Sequence, residues 1–286
     1  MTTETYHSSE KHGALASPTP PPGATDDWTI PQRWDELTPE DHWVWDTLFA
    51  RQQSLLPGRT VAAFAEGLDL LTLGKPGVPD LDAVNARLQA RTGWTVVSVP
   101  GIVPDDVFFG HLSERRFPAS AFIRHPDQLD YLEEPDAFHD LFGHVPMLAQ
   151  PEIAEFMQAL GRLGLEAAAL GQSHRIARLY WYTVEFGLAR ENDGLKIYGA
   201  GILSSFGEAH YSLESPKPRR LAFDLKRVMR TAYEIDDFQP AYFVIEDYRD
   251  ILDTVRQFDL AALFAELDDL PDLTPEAEAP GDCVVS

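Results

Sequence analysis

The feature that most constrains the fold is helical periodicity along most of the chain, interrupted by only short strand-like stretches. Apolar residues recur at helical spacing in residues 43–56, 61–73, 81–88, 151–163, 176–190, 221–233 and 247–263. β-Branched or apolar runs typical of strands occupy residues 95–99, 121–124, 196–198 and 242–245. We find no internal repeat. These patterns predict a mainly α fold with a minor β component, arranged as a single helix-rich domain.

Composition divides the chain into three predicted segments. Residues 1–29 are polar and then proline-rich, so they bury too little apolar surface to offset the entropy of ordering and are predicted to be a disordered tail. Residues 266–286 contain seven acidic and no basic residues, which predicts a solvated acidic tail. Residues 30–265 form the predicted folded domain, and an overall content of 44% apolar and 24% charged residues suits one packed core.

Charge and cysteine content restrict the partners and the compartment. The net charge of −23 repels phosphate backbones and anionic lipid headgroups, so neither nucleic acid nor a membrane is expected as a partner. Cys283 is the only cysteine, which rules out an intrachain disulfide and suits a reducing compartment. The sequence has neither the apolar core of a signal peptide nor a run of transmembrane length. We therefore predict a cytoplasmic protein.

Two histidines lie close together in residues 134–146, EPDAFHDLFGHVP. The proline and acid at the front predict a helix start, and Gly143 followed by Pro146 predicts its end. Side chains five residues apart in an unbroken α-helix point about 140° apart, so a turn near Gly143 is needed for His139 and His144 to converge. Convergence is what chelation requires, although such a pair by spacing alone is also typical of a core or capping feature.

One carboxylate, Glu185, stands in the aromatic and apolar run of residues 178–188, RLYWYTVEFGL. Burying an unpaired carboxylate is costly, so this group needs a cation, hydrogen bonds or a metal. Two imidazoles and one carboxylate form the facial triad that leaves coordination positions open on ferrous iron. The absence of cysteine ligands favours iron over structural zinc. A buried ion pair with an arginine is the alternative for Glu185.

Four segments in this order resemble the pterin-dependent aromatic amino acid hydroxylases, above all the bacterial members that act on phenylalanine. They are residues 139–146, 180–188, 198–208 (YGAGILSSFGE) and 238–240 (FQP), and the likeness is closest over residues 94–248. The resemblance implies a helix-rich catalytic domain of that type, which uses Fe(II) and tetrahydrobiopterin or a related tetrahydropterin. It implies conversion of L-phenylalanine to L-tyrosine with O₂, the first step of phenylalanine catabolism, with no catalytic residue beyond the iron site.

The resemblance also implies roles for individual residues. The iron ligands would be His139, His144 and Glu185. The residues implied for the amino acid substrate are Arg124, Ser204, Trp181, Phe138 and Asp136, with Arg124 pairing with the substrate carboxylate and Asp136 holding Arg124. The residues implied for the pterin are Phe108, Gly101, Ile102, Val103, Asp140 and Tyr180, with the ring of Phe108 stacked on the cofactor. Core packing, structural ion pairs and structural hydrogen bonds are the alternatives for these side chains.

Some positions depart from the family pattern or bear on the substrate. Leu132 and Pro118 stand where animal members have a threonine and a histidine near the pocket. Ile235 is aliphatic where tyrosine-hydroxylating members have an acid, so an unsubstituted ring is favoured and tryptophan hydroxylation is the alternative. The sequence lacks the tetramerisation helix of the animal members, which predicts a monomer.

Outside this family, two readings use the same three ligand types. A zinc hydrolase could hold a metal-bound water with them, but no HExxH motif accompanies the histidines. A protein that is simply stabilised by its metal is the other reading.

Overall fold

The computed structural model describes residues 19–130, 132, 134–235, 237–257 and 259–285. Residues 1–18, which make up most of the predicted N-terminal tail, lie outside the described residues. Within the described ranges, no helix is both long and apolar enough to span a membrane.

Helices dominate the described residues, as the periodicity predicts. The α-helices are α1 (Pro39–Leu55), α2 (Ala62–Leu71), α3 (Leu81–Thr92), α4 (Asp105–Ser113), α5 (Val145–Leu148), α6 (Pro151–Ala169), α7 (Ser173–Tyr180), α8 (Ala200–Ser204), α9 (Phe206–Glu214), α10 (Leu225–Met229), α11 (Tyr248–Gln257) and α12 (Leu260–Asp268). Short 3₁₀ turns cover Trp34–Glu36 and Pro126–Gln128, and π-helical turns cover His139–His144 and Trp181–Glu185.

The strands form two small sheets. β1 (Thr95–Val99) pairs in parallel with β2 (Arg116–Ser120). The second sheet has the order β4-β3-β6-β5 and contains β3 (Leu188–Glu191), β4 (Gly194–Ile197), β5 (Arg219–Ala222) and β6 (Ala241–Ile245). β3 and β4 are antiparallel, whereas β3–β6 and β5–β6 are parallel. The mainly α fold with a minor β component is thereby confirmed.

Several elements have boundaries that differ from those predicted from the hydrophobic periodicity. The predicted strand at residues 121–124 is wrong, because the strand lies earlier, in β2. The helical pattern at 176–190 ends with the π-helical turn and is followed by β3, and the pattern at 221–233 contains the end of β5 and then α10. Strands buried on both faces carry continuous apolar runs, which resemble short buried helices in sequence.

Helix α6 packs against the helices that flank the two π-helical turns, α5 after the first turn and α7 before the second. It follows α5, which continues the first turn, and it packs against α4, α7 and α11. Phe156 and Leu160 on α6 are fully buried. A Cβ added at Gly164 would lie 2.2 Å from the ring of Phe109, so glycine is what lets α4 approach this closely. The close contact holds the scaffold of the site rigidly.

Residues 27–30, at the end of the predicted disordered tail, are held against the folded domain. The tail boundary at residue 29 stays a prediction. Trp28 is buried, and the carboxylate of Asp27 accepts a hydrogen bond from Arg116. Ile30 N donates to the carbonyl of Ser98 at 2.8 Å. One large aromatic side chain and one ion pair are enough to fix residues that are otherwise polar.

The expectation of a solvated C-terminal tail is wrong for residues 272–285, which we call the C-terminal strap. Leu273 bridges to Thr231 and Val284 bridges to Leu221. The carboxylate of Asp282 accepts hydrogen bonds from Arg219 Nη2 at 3.0 Å and Arg227 Nε at 2.9 Å. Two of the four acids in this segment, Asp272 and Asp282, pair with arginines of the domain, a complementarity that the composition of the segment cannot reveal.

Replacing Asp282 with alanine is expected to lower the free energy of unfolding by about 3 kcal/mol, because two guanidinium groups lose their buried partner. The Asp282 side chain is only 8% exposed. Urea unfolding measures the loss. Glu278→Ala is the matched control, since Glu278 is an exposed acid of the same strap and its loss should change stability by no more than about 0.5 kcal/mol. Equal stabilities of the two variants would contradict this role of the strap.

Candidate metal centre

The first π-helical turn brings the two histidines of residues 134–146 together. Its i→i+5 hydrogen bonding widens the helix, so residues five apart come onto one side. The Nε2 atoms of His139 and His144 are 3.2 Å apart. The predicted helix end at Gly143 is wrong, because the chain continues directly into α5. Gly143 instead admits α8, since an added Cβ would lie 2.8 Å from the carbonyl oxygen of Ala200.

The second π-helical turn ends at Glu185 and aims its carboxylate at the histidines. Oε1 lies 3.0 Å from His144 Nε2, and Oε2 lies 3.6 Å from His139 Nε2. One ligand atom from each of the three residues falls within 4.8 Å of the others. In the described ranges, this is the one cluster of at least three histidine, cysteine or acidic side chains with such a geometry. The spacing suits a single metal ion bound on one side.

A hydrogen-bond chain fixes the tautomer of His139. The hydroxyl of Ser204 donates to the carbonyl of Ala200 at 2.9 Å, so its oxygen accepts from Nδ1 of His139 at 2.8 Å. The proton therefore sits on Nδ1, and the Nε2 lone pair faces Glu185. Burial lowers the pKa of His139 to about 4, which keeps the ring neutral at physiological pH. A neutral imidazole with a free Nε2 is the form that binds metals.

The other titratable groups of the centre respond to burial and to Glu185. Burial opposes a charge on His144, but the Glu185 carboxylate outweighs it and raises the pKa of His144. Burial raises the pKa of Asp140 to about 7, although its carboxylate accepts from Ser120 N at 2.7 Å. Burial, with help from Glu185, also raises the pKa of the Tyr180 hydroxyl well above its usual value. The Glu185 carboxylate thus favours positive charge on the neighbouring His144, and a metal ion bound here would supply that positive charge.

The three ligands face a cavity of about 530 Å³, large enough for small molecules. The predicted site residues that line it are Arg124, Ser204, Trp181, Phe108, Gly101, Ile102, Val103, Asp140 and Tyr180. Pro118 and Leu132, which depart from the pattern of the animal members, and Ile235, which bears on the substrate, line it as well. Segments far apart in sequence thus meet at one cavity.

Arg124 enters this cavity in a fixed orientation. Its Nε and Nη2 donate to the two carboxylate oxygens of Asp136, each at 2.8 Å. Asp136 also accepts from the backbone N–H of Arg124 at 2.9 Å and from that of His139 at 3.0 Å. Although burial alone would raise the pKa of Asp136, the arginine lowers it, so the carboxylate is charged. Asp136 lies behind the cavity and joins Arg124 to the first π-helical turn.

Phe138 does not reach the cavity, so the expectation that it lines an aromatic pocket is wrong. Its ring is fully buried and stacks on Phe142 with centroids 4.9 Å apart. Successive side chains of a helix point in directions about 100° apart, which turns Phe138 into the core when His139 faces the metal site. The aromatic wall is instead Trp181 stacked on Tyr233, with centroids 4.2 Å apart. Tyr233 was not expected at the site from the sequence, although the nearby Ile235 was.

The loop at Gly101–Val103 makes a contact with Glu134 that the sequence does not predict. The backbone N–H of Ile102 donates to Glu134 Oε1 at 3.2 Å. A Cβ added at Gly101 would lie 2.4 Å from the same oxygen, so a larger residue there would have to push the Glu134 side chain aside. Nearby, the ring of Phe108 meets that of Tyr180 edge-to-face, with centroids 5.2 Å apart. Any ligand that pairs with the Ile102 amide must displace Glu134.

Glu208, on α9, is a buried cavity-lining carboxyl with no role assigned from the sequence. It accepts a hydrogen bond from Gln239 N at 3.1 Å and one from the hydroxyl of Tyr242. Burial raises its pKa from 4.5 to about 7. A folded-state pKa above the unfolded one means that folding disfavours the charged form. The resulting loss in the free energy of unfolding is absent below pH 4.5 and grows as the pH rises to about 7.

Glu208→Gln should therefore gain stability relative to the parent protein as the pH rises. The gain between pH 4.5 and 8 is expected to be at most about 3 kcal/mol, since each unit of pKa shift corresponds to about 1.4 kcal/mol. Urea unfolding at both pH values measures it. Glu166→Gln, at an exposed position of α6, is the control and should show no such trend. The idea fails if the stability difference between Glu208→Gln and the parent protein is independent of pH.

The fold and the site together define a metal protein of the two-histidine, one-carboxylate class. Residues 29–264 match the family of biopterin-dependent aromatic amino acid hydroxylases. The chain belongs to this family, which confirms the resemblance seen in the sequence and leaves the zinc hydrolase without support.

Similar proteins include bacterial phenylalanine-4-hydroxylases. That of Caulobacter vibrioides is 53% identical over 267 residues, covering 93% of this chain and 90% of its own. That of Chromobacterium violaceum is 50% identical over 260 residues, covering 91% and 87%. Crystal structures of the C. violaceum phenylalanine hydroxylase, one bound to cobalt and one with oxidised Fe(III), each superimpose with a TM-score of 0.89 and 46% identity. The matches cover 100% and 99% of this chain, respectively, and 100% of the solved chains.

Proposed function

We propose that this protein is an Fe(II)- and tetrahydropterin-dependent monooxygenase that converts L-phenylalanine to L-tyrosine with O₂. The observation that carries the proposal is the triad of His139, His144 and Glu185 facing a cavity that also presents Arg124. The phenylalanine-4-hydroxylases among its relatives, at 50% identity or more, support the choice of reaction.

The donor set fits iron. Two imidazole nitrogens and one carboxylate would bind Fe(II) on one side, with the Nδ1 hydrogen bond to Ser204 holding His139 in the correct tautomer. Iron and tetrahydropterin, when bound, supply the reductive activation of O₂. The chain itself positions the substrates and excludes water, so no protein general acid or base is required.

Arg124 is the proposed anchor of the amino acid. Asp136 occupies one edge of the guanidinium, and the other edge can pair with the substrate carboxylate in the two-point geometry that arginine favours. Trp181 would pack against the aromatic ring, while Ser204 would border the substrate and orient His139. Asp136 acts through Arg124.

The pterin is proposed to bind on the opposite side of the cavity. The ring of Phe108 offers a face for stacking, and the Gly101–Val103 loop offers backbone groups to the pterin edge. Tyr180 lies between this side and the triad, because its ring centroid is 5.2 Å from that of Phe108 and 6.2 Å from that of His144. Asp140, with a pKa near 7, lines the same cavity. Both are proposed to contact the cofactor.

Ile235 supports phenylalanine as the substrate. It lines the cavity with an aliphatic side chain that offers no hydrogen bond to a ring hydroxyl. Tryptophan hydroxylation is the second candidate, because an aliphatic residue at this position suits an indole as well.

We further infer a cytoplasmic monomer without nucleic-acid or membrane partners. The net charge of −23 and the single cysteine support this inference. Sedimentation at physiological ionic strength tests the oligomeric state, and a stable dimer or tetramer would contradict a monomer.

The function is tested by reconstituting the protein with Fe(II) without oxygen and then supplying tetrahydropterin, O₂ and one amino acid. Tyrosine formed from phenylalanine, and only when both pterin and O₂ are present, is the expected result. Zn(II)-loaded protein is the control and should form no product. If none of phenylalanine, tryptophan and tyrosine is hydroxylated, the proposal is wrong. Preferential formation of 5-hydroxytryptophan would favour the second candidate.

A further inference from the structure

A chain of buried polar side chains adjoins the aromatic wall of the cavity, and two of its members, Gln239 and Glu208, also line the cavity. The indole Nε1 of Trp181 donates to Gln239 Oε1 at 2.9 Å. The backbone N–H of Gln239 donates to Glu208 Oε1 at 3.1 Å, and Glu208 also accepts from the Tyr242 hydroxyl. Gln239 and Glu208 are 1% and 4% exposed, so water does not share these bonds.

The amide of Gln239 can point in only one direction. Its Nε2 donates to the carbonyls of Glu234 at 2.7 Å and Asp237 at 3.3 Å. Since the nitrogen must face these acceptors, the amide oxygen must face the indole N–H. Glu208 fixes the backbone of the same residue from α9, and Tyr242 fixes Glu208 from β6. The acceptor offered to Trp181 is therefore held by two elements of the fold.

Trp181 transmits this constraint to the site. It begins the π-helical turn that ends at the metal ligand Glu185, and it lines the cavity. Its ring stacks on Tyr233 at an interplanar angle of 14°. An indole that loses its N–H partner can tilt in its stack, and small displacements of a reacting ring are costly in oriented reactions.

We propose that Gln239 is a positioning residue that fixes the plane of Trp181 and thereby sets which carbon of the substrate ring faces the metal. This inference rests on the proposed function. It assigns Gln239 a part in the regiochemistry of hydroxylation and in the coupling of pterin oxidation to product formation. Glu208 holds Gln239 in place.

The test is a double-mutant cycle between Gln239→Leu and Trp181→Phe in the Fe(II) protein. Gln239→Leu is expected to raise the KM for phenylalanine and to lower the tyrosine formed per pterin oxidised, each about fivefold to tenfold, the size expected for one buried hydrogen bond. A fraction of meta-hydroxylated product should appear. Calorimetry of phenylalanine binding without pterin gives a readout independent of turnover. Gln89→Leu, the same change at an exposed site on α3, should have no effect.

In the Trp181→Phe background, which keeps a ring but lacks the N–H, Gln239→Leu should add little to either effect. Equal effects in both backgrounds would overturn the inference, because the hydrogen bond would not be the means. Trp181→Phe alone should reproduce the coupling loss, so wild-type coupling in that variant would also overturn it, even if Gln239→Leu does not fold. A parent protein without any pterin-dependent hydroxylation would instead count against the proposed function.

Discussion

Replacing Glu185 with alanine is expected to abolish hydroxylation and to leave the protein with far less than one iron per chain. The carboxylate is the only anionic member of the triad, and without it two neutral imidazoles must hold a dication alone. Changing residues that merely support metal ligands costs up to about 100-fold, so losing a ligand should exceed that factor. Iron content after dialysis and tyrosine formation measure the two effects.

Glu166→Ala is the matched control for this change, since it removes an exposed glutamate from α6, a helix that tolerates alanine. It should keep full iron occupancy and turnover. A Glu185→Ala protein with both properties intact would remove Glu185 from the ligand set while leaving the family membership untouched.

Replacing Asp136 with alanine is expected to lower the free energy of unfolding by about 3 to 5 kcal/mol, because it leaves the Arg124 guanidinium buried without its partner. The two side chains are 0% and 9% exposed, respectively. The same change frees Arg124 to move, so the KM for phenylalanine should rise more than kcat falls. Urea unfolding and steady-state kinetics measure the two effects.

Asp130→Ala is the control for the stability effect. Asp130 pairs with Arg51 at the same 2.8 Å, but its side chain is 94% exposed. An exposed pair contributes no more than about 1 kcal/mol. The N–O distance is therefore matched, while burial and the number of hydrogen bonds to the carboxylate differ. Similar losses in the two variants would show that burial of the Arg124–Asp136 pair does not stabilise the fold.

The sequence by itself determined the local features of this protein. Thr38 and Asp41 form the capping box that begins α1 at Pro39, and α1 contains most of the helical pattern predicted for residues 43–56. The alternating residues of β1 form a strand with the predicted bounds, Thr95–Val99. The identity of the triad also came from the sequence, because residue chemistry and motif order depend on nothing distant in space.

Tertiary structure decided how these parts meet. The five-residue spacing of His139 and His144 suggested a helix end, yet the packing of α8 on Gly143 accompanies a π-helical turn that keeps the helix intact. The same turn directs Phe138 into the core. Asp272 and Asp282 of the C-terminal strap looked solvated because their arginine partners lie elsewhere in the chain. These outcomes depend on contacts between residues that are distant in the sequence, and local sequence patterns do not show which of these contacts form.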